Sequence, residues 1–155
     1  MKDHRLLLIS RDDILRASEE KYGKRLFPLL AQFTRHNFHL LSTAPQPDSG
    51  FSIHGGPDGA LLGPNSIRKR LSDAGGILDG VYYVPRSLMT QKRNREQALQ
   101  DMLQRFATSP DHCHLLSSSK KFVNAANEQG IHGTHLNKNR TLINELKTLS
   151  DNFFD

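Results

Sequence analysis

Leu6-Leu7-Leu8-Ile9 is an unbroken apolar run that stops at the polar cluster Ser10-Arg11-Asp12-Asp13. A run so short and apolar at every position predicts a strand buried on both faces, in the middle of a parallel sheet. Leu26, Leu29, Leu30 and Phe33 then recur at helical spacing within residues 23–35, and Pro28 sets the expected start of the regular helix. His36-Asn37 closes it, and Phe38 to Leu41 reads as a second strand ending at Ser42-Thr43. From Ala44 to Pro64 the chain is rich in Pro and Gly, which is loop chemistry, with a short extended piece expected at Phe51 to Ile53.

Asn65 or Ser66 is placed to cap a helix running to about Ala74, and Gly75-Gly76 to end it. Gly80 to Val84 reads as a third strand closed by Pro85, and Arg93 to Phe106 as a helix. His114 to Leu116 is a short fourth strand that runs into Ser117-Ser118-Ser119. Lys120 to Gln129 is a helix ended by Gly130, Ile131 to His135 a poor fifth strand, and Arg140 to Leu149 a last amphipathic helix. Strands alternating with helices predict an α/β fold, three layers deep, with a parallel sheet of about five strands. No linker or internal repeat divides the chain, so residues 1–155 are expected to form one domain.

The formal net charge of +5 fits nucleic acid, a membrane surface, a phosphorylated ligand or simply a solvated basic surface. The basic residues are spread along the chain, most densely at Arg68-Lys69-Arg70 and Lys92-Arg93-Asn94-Arg95, and neither group has interleaved aromatics. Cys113 is the single cysteine, which excludes a disulfide frame and a cysteine-rich zinc site. The eight histidines include Asp111-His112-Cys113-His114 and the pair His36 and His39, and neither has four-ligand zinc spacing. No apolar run is long enough to span a bilayer and no signal pattern opens the chain, so cytoplasmic residence is expected.

The order of elements resembles the haloacid dehalogenase (HAD) superfamily, and within it the heptose bisphosphate and histidinol phosphatase branch, which has no large cap domain. The run from Arg70 to Pro85, with Asp79-Gly80-Val81-Tyr82-Tyr83-Val84-Pro85 at its end, echoes that branch's helix, glycine turn and "DGVYYCPH" strand. Asn124-Ala125-Ala126-Asn127-Glu128-Gln129-Gly130-Ile131 echoes its "QAARNAGI" helix. The resemblance implies a strand-end Asp that attacks the phosphoryl group and a second Asp, two positions on, that acts as acid and base. It further implies a Thr or Ser after the second strand, a Lys or Arg after the third, and acids after the fourth that help the nucleophile hold Mg²⁺.

Carried over residue by residue, the pattern is degenerate. Ser10 stands at the nucleophile position, Asp12 keeps the acid/base position, and Asp13 replaces the Gly that follows it. Thr43 matches the Thr after the second strand, and Arg93, or Lys92 beside it, falls where the phosphate-binding Lys belongs. Ser117-Ser118-Ser119-Lys120-Lys121 replaces the fourth-strand acids, and Val84, Arg86 and Ser87 stand where the branch places zinc ligands, so no metal is expected. Asp12-Asp13 reads alternatively as a turn or a helix cap.

The expectation is a HAD-like protein without phosphatase chemistry, with a binding or regulatory role toward a phosphorylated ligand or a protein partner. Its candidate phosphate-binding residues are Ser10, Thr43, Lys92, Arg93, Ser117 and Ser118. The alternatives are an active phosphatase on a small phosphorylated sugar or related metabolite, which alone would need Mg²⁺, and a basic nucleic-acid-binding module using Lys92, Arg93 and Arg95.

Overall fold

Five strands form one sheet in the order β3-β2-β1-β4-β5, in a computed structural model that describes residues 4–45, 66–84 and 92–154. They are β1 (Arg5–Ser10), β2 (Phe38–Pro45), β3 (Gly80–Val84), β4 (Cys113–Ser117) and β5 (His132–His135), and all four pairings are parallel. The apolar run is the centre of the sheet, as its pattern predicts: Leu6 to Ile9 are all 0 % exposed. Successive residues of a strand face opposite ways. Leu7 and Ile9 accordingly enter one core and Leu6 and Leu8 the other.

Helices cover both faces. On the Leu7–Ile9 face lie α1 (Arg11–Ser18), α2 (Leu26–Arg35), α3 (Ile67–Asp73) and α6 (Leu142–Phe153), which contribute Ile14, Phe33, Leu71 and Leu146 to the core. On the Leu6–Leu8 face lie α4 (Lys92–Arg105) and α5 (Lys120–Glu128), with Leu99, Met102, Phe122 and Val123. The α/β fold in three layers is therefore observed. The expected loop gives up its first two residues, Ala44 and Pro45, to β2, while Phe51 to Ile53, Arg86 and Ser87 lie outside the described residues.

Local chemistry sets the element ends. Ser10, Ser66, Ser119 and Thr141 cap α1, α3, α5 and α6, each side-chain oxygen accepting from the backbone N–H three residues on. Gly75 and Gly130 adopt φ of +90° and +85°, the left-handed conformation that ends α3 and α5. Most other ends shift by a residue or two from the sequence reading, and two helix starts have a clear local cause. The α2 helix starts at Leu26, two residues before Pro28, because a proline fits the first turn, where its missing N–H has no intrahelical role. The α6 helix starts at Leu142, after its Thr141 cap, and runs on to Phe153.

The lower end of the sheet is closed by rings. His114 is buried, and Arg5 Nη1 donates to its Nε2 at 3.2 Å while the Arg5 guanidinium lies 4.1 Å from the centroid of Phe153. Phe154 stacks on His36 at 3.9 Å. Burial, with the nearby positive charge of His132, Arg5 and His112, pushes the His114 pKa down to about 4. The neutral ring is thus the folded form. Its contribution to stability is complete above the ordinary value of 6.5 and is lost as pH falls toward about 4. Thermal melts are expected to show Tm dropping across that window, with a shallower drop for His114→Gln; equal slopes for the two proteins would contradict the assignment.

Candidate functional site

The chain runs β1, β2, β3 outward on one side and then returns to place β4 and β5 on the other. Between the carboxyl ends of β1 and β4 the strand order reverses, which is where α/β sheets bind ligands. Ser10 ends β1 beside Thr43 of β2, with which it is in register. Residues partnered this way point to the same face. Ser117 ends β4, one step beyond the Ile9–Leu116 pair.

A carboxylate fills this point. Asp13 is 4 % exposed, and its Oδ2 accepts the Ser10 hydroxyl at 2.7 Å and the Ser118 backbone N–H at 3.1 Å. The Asp13 N–H in turn donates to Ser10 Oγ at 3.1 Å, and Arg16 Nη1 donates to Oδ1 at 3.3 Å. One acid therefore ties β1, the first turn of α1 and the loop after β4 together. The α1 amino end favours negative charge there, so helix and acid support each other. Asp12, the residue matched to the acid/base position, is exposed and pairs with Arg11 at 3.0 Å instead.

The loop after β4 is equally committed. Ser117 Oγ accepts the Ser119 N–H at 3.0 Å, Ser119 Oγ accepts the Phe122 N–H at 3.3 Å, and the Ser118 carbonyl lies 3.1 Å from His135 Nε2. Lys92 is ion-paired with Glu128 at 3.1 Å and lines a cleft of about 180 Å³ with Arg95, Lys121 and Asn124. Asp13 and Ser118 line another cleft, of about 450 Å³. Arg93 is exposed and Arg95 is buried, so the basic run at the start of α4 does not present one face. The structure thus brings Ser10, Thr43, Ser117 and Ser118 to one place and sets Lys92 at a different cleft.

The described residues supply a poor donor set for Mg²⁺, which asks for freely presented oxygen ligands in near-octahedral array. The Asp13 oxygens already accept three side-chain and backbone donors, Asp12 is turned to Arg11, and no group of three or more His, Cys, Asp or Glu is placed to hold a metal ion among the described residues. Cys113 is fully buried, and burial pushes its thiol up to about 12, which disfavours the thiolate.

Asp13 is the residue that a position-by-position transfer undervalues. Its sequence signal is the spacing Ser10-x-x-Asp13, a cap residue followed three places on by an acid.

No family model matches the chain, and no curated protein matches it in sequence. Solved structures do match. An uncharacterized protein from Corynebacterium glutamicum is 17% identical, with 94% of this chain and 94% of that one covered and a TM-score of 0.59. The D,D-heptose 1,7-bisphosphate phosphatase from B. bronchiseptica, complexed with magnesium and phosphate, is 16% identical, with 95% and 86% covered and a TM-score of 0.59. A predicted HAD-like family hydrolase from Porphyromonas gingivalis is 11% identical, with 94% and 97% covered and a TM-score of 0.50. The chain has the fold of the HAD-like hydrolases. Among the described residues no helix is long and apolar enough to cross a membrane.

Removing the buried Asp13 carboxylate takes away the acceptor of the part-buried Ser10 hydroxyl, the Ser118 N–H and the exposed Arg16. Asp13→Ala is expected to lower unfolding free energy by about 2–4 kcal/mol. Asp12→Ala, at an exposed site, is expected to change it by less than about 0.5 kcal/mol. Urea unfolding followed by circular dichroism checks both, and equal effects of the two would remove Asp13 from its role.

Proposed function

We propose that this chain is a HAD-fold protein that has given up phosphoester hydrolysis and works by binding. The observation that carries the reading is the Ser10–Asp13–Ser118 tie. Two donors that could meet a phosphate at the β1 and β4 tips are taken by an internal carboxylate, the Ser10 hydroxyl at 2.7 Å and the Ser118 N–H at 3.1 Å. A phosphate arriving there would meet negative charge where hydrolysis needs electrophilic assistance. The serine at the nucleophile position also cannot supply the acyl-phosphate that an aspartate would form, whose ready hydrolysis completes a phosphatase cycle.

One observation favours the rival reading, an active phosphatase on a small phosphorylated sugar or related metabolite. The Ser10 hydroxyl donates to a carboxylate at hydrogen-bond distance, the arrangement in which an acid could serve as a base for a serine nucleophile. The phosphatase among its structural neighbours is the ground for the substrate class. The two readings part in a phosphate-release assay with MgCl₂ over a panel of sugar phosphates. No release above the protein-free rate is expected. Turnover that disappears in Ser10→Ala would establish the phosphatase instead, and Asp13-dependent phosphorylation of Ser10, read by mass spectrometry, would identify its route.

A further inference from the structure

The fold gathers basic residues that are scattered in the sequence. Arg16 and Glu20 on and just beyond α1, with Lys138 and Arg140 before α6, line the cleft of about 450 Å³ beside Asp13 and Ser118. A second cleft, of about 470 Å³, shares Glu20 and Thr141 with the first and continues to Tyr22, Arg25 and Lys147. The shared residues place the two clefts side by side, and together they are called the groove below. Six cationic and two acidic side chains line it, a formal surplus of four positive charges in a chain whose net charge is +5. One of the acids, Asp13, is already paired with Arg16.

The two halves differ in character. In the inner half, Asn137 Oδ1 accepts the Asn139 and Arg140 N–H groups at 2.8 and 3.0 Å and so fixes the turn that carries Lys138 and Arg140. Among the described residues neither of those two side chains has an acidic partner, so their charge is available to a ligand. A phosphoryl group suits that pair: arginine offers two parallel donors and lysine a point charge. In the outer half Tyr22 is 52% exposed, and Lys21 Nζ and the Arg25 guanidinium lie over its ring, 5.5 and 5.3 Å from the centroid. A flat heterocycle stacks on such an exposed ring by displacing a flexible cation from its face, which leaves that cation beside the ligand. Glu20 sits where the halves meet, and a carboxylate there can accept from sugar hydroxyls.

We infer that this groove binds a nucleotide, its phosphates held by Lys138 and Arg140, its base stacked on Tyr22 and its sugar beside Glu20. The same chemistry serves a free nucleotide and a nucleotide within a single strand. The assignment is independent of whether Ser10 or Asp12 retains any chemistry.

Calorimetry on the full chain at low salt, with ADP, inorganic pyrophosphate and adenosine as separate titrants, tests it. ADP is expected to bind more tightly than either of the other two. The double variant Lys138→Glu with Arg140→Glu is expected to lose ADP and pyrophosphate alike. Tyr22→Ala is expected to weaken ADP about tenfold while leaving pyrophosphate unchanged. All three positions are exposed, so unchanged Tm values establish that the variants fold. Arg68→Glu, outside the groove, supplies a charge-reversal control. A parallel anisotropy titration with fluorescein-labelled decathymidylate decides the source: binding with the same variant profile supports the groove and puts the nucleotide in a strand. Pyrophosphate binding as tightly as ADP would overturn the inference. So would binding that survives both variants, or the failure of both ADP and decathymidylate to bind.

Discussion

A buried carboxylate at the tip of the central strand organises the upper end of this protein. Parallel strands leave their last carbonyl and N–H groups pointing into the crevice where the strand order reverses, and buried polar groups need partners. In this chain Asp13 provides one. It binds its own cap residue, Ser10, and reaches across the reversal to the Ser118 N–H, so β1, α1 and the β4 loop are joined through one carboxylate oxygen, Oδ2. Hydrogen bonds to a charged acceptor are worth more than neutral ones, and burial raises the cost of losing them. The tie therefore serves the fold and occupies the crevice at once.

That dual use separates the scaffold from its chemistry. The three-layer arrangement is shared with proteins of which one is a sugar-bisphosphate phosphatase, at sequence identities of 11% to 17%. A fold places residues at strand tips but does not choose them. The choice made in this chain is a serine, an internal acid and a serine run, and the cation-lined groove lies to the β5 side, where Lys138 and Arg140 follow the last strand. The lower end is closed by Arg5, His114 and Phe153 packed on one another and by Phe154 on Phe33 and His36.

Much of this was legible in the residues. The Leu6 to Ile9 run carried its central place because four consecutive apolar side chains in a strand need cover on both faces. Ser66, Gly75 and Gly130 marked their helix ends because caps and left-handed turns are local chemistry. The strand from Gly80 to Val84 has the bounds its sequence implies. Long-range pairing was not legible. Nothing local says that Asp13 meets Ser118, 105 residues away, or that Arg16 and Lys138 share a cleft. The same limit applies to the basic run at Lys92, Arg93 and Arg95. In sequence it is a patch; in the fold one member is paired with Glu128 and another is buried.

The central claim is that the Ser118 N–H belongs to Asp13 and to no phosphate. Amide NMR of the ¹⁵N-labelled protein reads this directly. The Ser118 resonance is expected to be protected from hydrogen exchange in the parent and exposed in Asp13→Ala, and to stay in place as inorganic phosphate and MgCl₂ are added to the parent. A Ser118 amide that exchanges freely in the parent, or that shifts with saturable dependence on phosphate, would contradict the account.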